Sequence, residues 1–185
     1  MPITTLDPRT ALVVIDLQQG IVRLPTVHPP AEVVKRAAQL ATAFRRRGLP
    51  VVLVDVVGGG PGRDDPRGRR PAPSADWAEL VPELEVQPHD IRVSKKTWGA
   101  FTCTGLDAQL RERGVTQIVL AGISTSIGVE STARQAQELG FNVTLAIDAM
   151  TDTSQQAHDN SVSRIFPRLG ETGTTQDVLL KLEDK

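Results

Sequence analysis

The chain has 185 residues, with 21 lysine and arginine residues against 22 aspartate and glutamate residues and a net charge of −1. A nucleic-acid or anionic-membrane partner requires a basic surplus, which this chain lacks, so we expect neither. No basic segment followed by a long apolar one begins the chain, and no apolar run approaches the ~18 residues of a membrane span, so we expect no export or membrane insertion. The length fits a single domain covering residues 1–185.

The chain contains a single cysteine, Cys103, which cannot form a disulfide within the chain. Together with the lack of paired cysteine and histidine spacings, this favours a reducing, cytoplasmic location and argues against structural zinc. Free cysteines commonly behave as small hydrophobic residues, so Cys103 is predicted to be buried.

Short apolar runs alternate with segments of helical spacing along the chain. The runs with strand character cover 11–15, 51–57, 91–93, 118–121 and 141–147. Helical spacing covers 31–47, 104–113, 129–139, 155–166 and 174–182, with a short interrupted segment at 77–84. This alternation predicts an α/β fold: a three-layer, doubly wound, mainly parallel six-stranded sheet with helices on both faces, similar to a Rossmann fold.

The segment 122–130, Gly-Ile-Ser-Thr-Ser-Ile-Gly-Val-Glu, lies between a predicted buried strand and a predicted helix. At such a junction ligands bind beyond the carboxyl ends of the strands, and N–H groups at the helix start favour negative charge. The alternative is an ordinary strand-to-helix loop with a good N-cap. The local pattern does not decide between the two.

Charged residues follow three other predicted strands. Asp16 ends the first apolar run, Asp148 ends the fifth, and Lys95 and Lys96 follow the third. Each has an ordinary alternative, because an aspartate can serve a turn and lysines are usually exposed. In a doubly wound sheet, however, the ends of the first, third and fourth strands share one edge, so Asp16, Lys95 and the 122–130 segment can converge into one site.

The segment 58–73 is rich in glycine, proline and charge. Because it has almost no apolar content, it is predicted to be a flexible loop or a lid over the strand ends. Its glycines do not form a phosphate-binding pattern that ends in lysine and serine or threonine, so nucleotide binding is not expected.

Three motifs resemble the isochorismatase-like hydrolase superfamily, and the resemblance runs from about residue 10 to residue 168. Asp16-Leu-Gln is similar to the end of the family's first strand with its catalytic aspartate, and Lys95, six residues before Phe101, is similar to the catalytic lysine. Gly-Ile-Ser-Thr-Ser-Ile-Gly-Val-Glu-Ser-Thr-Ala-Arg from Gly122 is similar to the loop and helix that usually present a nucleophilic cysteine. At the cysteine position this chain has Gly128.

The resemblance implies which chemistry remains possible. Without a thiol at Gly128, hydrolysis of amides through a thioester is not available at that position. True isochorismatases also have glycine there, and they hydrolyse an enol ether by protonating its vinyl carbon. Asp16 would then be the general acid, with a pKa raised by burial, and Lys95 would orient it and the substrate carboxylate. Hydrolysis of a small anionic substrate is therefore expected.

The resemblance also implies a substrate-binding set and a special peptide bond. The substrate-binding residues implied are Gln18, Trp98, Phe101, Ile123, Ser124, Ser126 and Ile127. The family holds the bond that corresponds to Ile123–Ser124 in cis, with N–H groups near Ser124 and Gly128 forming an oxyanion hole. Isochorismatases carry an aromatic residue and a histidine where this chain has Ser124 and Ser126, so a reshaped pocket is expected. No cofactor and no metal are expected, because the chain has no histidine between His28 and His89 to complete the cluster of the nicotinamidase branch.

Two further hypotheses stay open beside the acid-assisted hydrolase. One is a catalytically inactive small-molecule-binding or scaffold protein with the same fold. The other is a substitute nucleophile, Cys103 or one of the serines Ser124 and Ser126, although no histidine is placed in the sequence to activate a serine. The resemblance also implies a homo-oligomer.

Overall fold

The computed structural model of the protein describes residues 1–59 and 74–183. Of the 58–73 segment, only Gly58 and Gly59 belong to these ranges, so the prediction of a flexible loop or lid lies outside the described residues. Within the described ranges, no helix combines the length and the apolar character that crossing a membrane requires.

The described residues form one sheet of six parallel strands. The strands are β1 (Thr10–Ile15), β2 (Val51–Val56), β3 (Ile91–Lys95), β4 (Gln117–Ile123), β5 (Asn142–Thr151) and β6 (Glu171–Gly173). Their order across the sheet is β3-β2-β1-β4-β5-β6, and every neighbouring pair is parallel. The order reverses between β1 and β4, and such a reversal opens a crevice at the carboxyl ends of these two strands. The predicted fold class is confirmed.

The helices cover both faces of this sheet. Those in the described residues are α1 (Gln19–Val22), α2 (Pro30–Arg46), α3 (Leu106–Glu112), α4 (Glu130–Glu138), α5 (Gln155–Asn160), α6 (Phe166–Leu169) and α7 (Thr175–Glu183). One π turn, Thr125–Val129, leads directly into α4, and another, Ser161–Ile165, joins α5 to α6. Between 77 and 84, where a short helix was predicted, the structure has a turn followed by a 3-10 turn at Pro82–Leu84.

Apolar side chains pack on both faces of the sheet, as β1 shows. Leu12 and Val14 belong to the core layer shared with α2 and α7. Val13 and Ile15 belong to the layer shared with α3, α4 and α6. Because both faces are covered, every residue of β1 is buried, which explains why the strand is a continuous apolar run instead of an alternating one.

β5 is longer than its apolar run predicts. It extends to Thr151, four residues beyond the predicted end at Ile147, so Asp148 lies inside the strand and the prediction of a strand tip there is wrong. The Asp148 carboxylate accepts hydrogen bonds from the backbone N–H and the hydroxyl of Thr175, at 2.6 and 2.9 Å. It thereby satisfies an N–H at the start of α7 that has no partner within the helix.

Cys103 is exposed, contrary to the prediction of a buried thiol. Helix α3 begins at Leu106 instead of residue 104, so Cys103 lies in the preceding turn. Its backbone has a positive φ of 55°. The chain turns sharply there and leaves the side chain at the surface.

Candidate active site

Asp16 and Lys95 meet at the carboxyl edge of the sheet. Lys95 Nζ lies 2.8 Å from Asp16 Oδ2, and both side chains are buried. β1 and β3 are not neighbours, since β2 lies between them. The long lysine side chain therefore spans the end of β2, and neighbouring strands are about 4.8 Å apart. Lys96, the alternative candidate, is exposed beside Gly58.

The backbone of Asp16 turns out of β1. Its N–H still donates to Val54 O at 2.9 Å, which continues the β1–β2 ladder by one residue. Its φ of 53° is in the left-handed region, where aspartate is among the few non-glycine residues found with some frequency. The strand thus ends at the residue that carries the carboxyl group.

Burial raises the pKa of Asp16 from 3.8 to about 6. The Lys95 ammonium lowers this pKa by its charge and its hydrogen bond, and the Asp55 carboxylate raises it, but desolvation is the largest effect. Asp16 Oδ2 faces Lys95, whereas the buried Oδ1 has no hydrogen-bond partner among the described residues. A proton on Oδ1 would therefore be held by no protein group.

The β4–α4 loop, residues 122–130, forms the third part of the site, beside Asp16 and Lys95. It contains the end of β4, a cis peptide bond at Ile123–Ser124 and the π turn that precedes α4. A Cβ atom on Gly128 would lie 3.2 Å from Asp16 Oδ2, 2.9 Å from Ile15 Cγ2 and 3.6 Å from Trp98 O. Residue 128 is therefore directly beside the Asp16 carboxyl, and the 122–130 segment meets Asp16 at the edge of the sheet that the strand order predicted.

Three of the predicted substrate-binding residues have exposed or half-buried side chains in the segments that meet at the site. Trp98 is 67% exposed and Ile127 is 39% exposed, and both are large apolar residues. Ser124 is half-buried at the start of the β4–α4 loop. These three side chains remain candidates for contact with a substrate.

Three other predicted residues have clear structural contacts. The Gln18 amide is fully buried and bonds to the backbone of Val56, through both its N–H and its C=O, and to Trp77 O. Ile123 is fully buried in the core. Phe101 is half-buried and stacks on Phe141, with ring centroids 5.8 Å apart. These contacts give the three side chains a structural role in the protein.

Ser126, also predicted to bind substrate, is held by a residue that the sequence analysis missed. Its backbone N–H and its hydroxyl both donate to Asp152 Oδ2, each at 2.8 Å. Asp152 directly follows β5, and its other oxygen accepts the N–H groups of Thr153 and Ser154. An acidic residue directly after a strand could have indicated Asp152, but the sequence predicted that β5 ends at Ile147, five residues earlier.

The sequence also gave no indication of a hydrogen bond between Thr125 and His158, in which Thr125 Oγ1 lies 2.9 Å from His158 Nδ1.

In the described parts of the chain, no three histidine, cysteine, aspartate or glutamate side chains are grouped so that they could hold a metal ion.

Fold and site together define a doubly wound α/β protein with a buried carboxyl–ammonium pair at the point where the strand order reverses. Residues 10–177 match the model of the Isochorismatase domain, and the chain therefore belongs to the isochorismatase family of hydrolases. The resemblance inferred from the three motifs is confirmed.

Known proteins similar to this chain include solved structures and curated relatives. A structure of an isochorismatase family protein from Burkholderia thailandensis has a TM-score of 0.91 and 46% identity, covering 97% of this chain and 98% of that one. The uncharacterized isochorismatase family protein YecD of Escherichia coli O157:H7 is 45% identical over 182 residues, 92% of this chain and 94% of that protein. The ureidoacrylate amidohydrolase RutB of Pseudomonas savastanoi pv. phaseolicola is 30% identical over 199 residues, 89% of this chain and 81% of that protein.

Proposed function

We propose that the protein hydrolyses a small anionic substrate of the enol-ether class by acid assistance, without a nucleophilic side chain. The observation that supports this most strongly is the Asp16 carboxyl, buried beside Lys95, with its Oδ1 unpartnered among the described residues. Gly128 offers no side chain to attack a substrate at the position next to this carboxyl.

Proton transfer from the Asp16 carboxyl group to the terminal vinyl carbon begins the reaction. A C–H bond forms from the π electrons of the enol ether, and the ether carbon becomes an oxocarbenium ion. Water adds to that carbon and returns a proton to Asp16. The resulting hemiketal breaks its C–O bond, which releases a keto acid and an alcohol. Asp16 thus ends the cycle in its starting state.

Lys95 acts in this scheme in two ways. Its Nζ donates to Asp16 Oδ2 at 2.8 Å and to Thr97 O at 3.2 Å, which fixes the orientation of the carboxyl group. Its charge attracts an anionic substrate. The same charge lowers the pKa of Asp16, but burial outweighs it and raises that pKa to about 6. A fraction of the protein therefore has a protonated Asp16 near neutrality.

Asp16→Asn tests the proposal, because asparagine has nearly the same shape and cannot donate a carboxylic proton. We expect kcat to fall by at least ~100-fold on any substrate found by screening enol ethers. Asp90→Asn is the matched control: Asp90 is also buried and ion-paired, with Arg45 at 2.7 Å, but it precedes β3 at the opposite edge of the sheet. Turnover that survives in Asp16→Asn would contradict the proposal.

A binding protein without catalysis is the second candidate. One observation favours it: Ile15 Cγ2 would lie 2.9 Å from a Cβ on residue 128, so an apolar methyl group partly fills the space there. Gly128→Cys separates the two candidates. A new thiol-dependent amidase activity would indicate a site that lost a cysteine mechanism, whereas its absence together with an active wild type supports acid catalysis.

The proposal includes a cytoplasmic location and a homo-oligomer. The single, unpaired Cys103 supports the location, since its thiol is exposed and would be oxidised readily outside a reducing compartment. The exposed apolar Trp98 and Ile127 beside the site support contact with a second subunit. Sedimentation of the purified chain measures the subunit number.

A further inference from the structure

A second cluster of titratable side chains lies beside the β4–α4 loop. His28, in the loop before α2, and His158, in α5, meet edge to face with ring centroids 4.8 Å apart and planes at 61°. A threonine hydroxyl fixes each ring at Nδ1: Thr125 lies 2.9 Å from His158, and Thr151 lies 3.1 Å from His28. The proposed reaction uses none of these four residues.

Thr125 connects this cluster to the site. It is buried and is the first residue of the π turn, and the next residue, Ser126, is bound by Asp152. Gly128 lies further along the same turn, where a Cβ atom would be 3.2 Å from Asp16 Oδ2. The turn therefore covers Asp16 while its first two residues are fastened to groups from α5 and the end of β5.

The His158 ring acts as a neutral group. The titratable groups that act on it are His28 in the loop before α2, Asp152 after β5 and Asp159 in its own helix. On α4, Glu130 accepts a hydrogen bond from the hydroxyl of Ser161. Burial lowers the pKa of His158 and His28 lowers it further, whereas the two aspartates raise it and are outweighed. A neutral ring has one donor and one acceptor nitrogen, and either suits a hydroxyl partner.

We infer that His158 is a positioning residue: through its hydrogen bond to Thr125, it holds the β4–α4 loop so that Gly128 covers Asp16. This inference rests on the proposed function for its catalytic meaning, since it concerns the same carboxyl group. In the protein without substrate, the covering turn limits the contact of bulk solvent with Asp16, and burial is the largest cause of that residue's raised pKa. Releasing the turn would admit water and return the pKa of Asp16 toward its ordinary value.

The test is the pKa of Asp16, measured by ¹³C NMR of its carboxyl carbon in the full chain without substrate. In Thr125→Val, which removes the hydroxyl at nearly constant size, we expect this pKa to fall from about 6 toward 3.8. Thr125→Ser keeps the hydroxyl and should retain the wild-type value. Thr144→Val is the matched control, because Thr144 is a buried threonine near the amino end of β5 whose hydroxyl accepts from Gln117 Nε2 at 3.0 Å.

His158→Asn and His158→Leu test the same hydrogen bond by changing His158 instead of Thr125. Asparagine places a polar atom close to the position of Nδ1 and should restore the wild-type pKa of Asp16, whereas leucine should lower it. The same Asp16 pKa in Thr125→Val and Thr144→Val, or in the two His158 variants, would overturn the inference. The measurement needs no turnover, so its outcome is separate from that of Asp16→Asn.

Discussion

At the scale of single residues, two opposing effects set the pKa of the Asp16 carboxyl group. Burial moves Asp16 toward the protonated form, and Lys95 moves it toward the ionised form. Burial prevails because the β4–α4 loop and the strand ends enclose the group almost completely. The sequence could place Asp16 and Lys95 at the same edge of the sheet, but the balance between these effects depends on packing that only the structure shows.

The pKa of Asp16 predicts a pH-dependent stability. Because folding raises this pKa from 3.8 to about 6, the folded state binds more protons than the unfolded state between these values, so the free energy of unfolding falls as pH rises through that window. Relative to Asp16→Asn, the wild type should lose up to about 3 kcal/mol across it. Urea denaturation of both proteins at several pH values measures the difference, and a difference independent of pH would contradict the prediction.

The neighbouring carboxylate of Asp55 offers a finer test. Its charge raises the pKa of Asp16, and its own contacts are to Arg92 and Ser94, at 3.4 and 3.1 Å. Asp55→Asn should therefore lower the pKa of Asp16 while turnover continues, and the pH dependence of kcat/KM should move to lower pH. An unchanged or higher Asp16 pKa would show that Asp55 does not act on this group.

The exposure of Cys103 can be measured by its reactivity. Because its side chain is exposed, a disulfide reagent such as Ellman's should label one thiol per chain in the native protein. The rate should rise little when denaturant is added. Labelling that requires unfolding would favour the buried position predicted from the sequence.

At the scale of elements, the β4–α4 loop depends on a glycine at its start. Gly122 has a φ of 127°, and a Cβ atom there would lie 2.0 Å from Ile15 O, a backbone atom of the neighbouring strand. Close approach of β4 to β1 thus requires a residue without a side chain. The sequence showed a glycine at this position but could not show which backbone it meets.

Gly122→Ala should therefore destabilise the protein strongly, by roughly 3 kcal/mol or more, because neither backbone can move without disrupting the sheet. Gly140→Ala is the matched control: Gly140 also has a positive φ, of 82°, but a Cβ atom there would meet nothing within 4 Å. Gly140→Ala should lower the free energy of unfolding by only about 1 kcal/mol, because alanine is strained at a positive φ. Equal losses in urea denaturation would refute the role assigned to Gly122.

Elements were predictable where apolar side chains define them. β1, β2 and β4 are continuous apolar runs because both faces are covered, and the predictions for them agree with the structure to within two residues. β6 has no apolar run, and in β5 Asp148 interrupts the apolar run after Ile147, so pattern alone predicted neither β6 nor the end of β5. Asp152 was missed for that reason.

At the scale of the whole molecule, the sheet order joins segments that are distant in the chain. Asp16 and Lys95 are 79 residues apart in sequence, and parallel winding brings them within 2.8 Å. The contacts of the β4–α4 loop with Asp152 and His158 link this pair to the carboxyl end of β5 and to α5. The fold class predicted from the sequence brings Asp16 and Lys95 to one edge of the sheet. The contacts of the loop with Asp152 and His158 depend on side-chain orientation, which the alternation of strands and helices does not specify.

Acid catalysis by Asp16 requires a raised pKa in the wild-type protein. A ¹³C NMR titration of its carboxyl carbon, assigned by comparison with Asp16→Asn, should give a pKa of about 6. A value at or below 3.8, the ordinary value for aspartate, would mean that the Lys95 ammonium outweighs burial. Asp16 would then be ionised throughout the neutral range and could not serve as the acid.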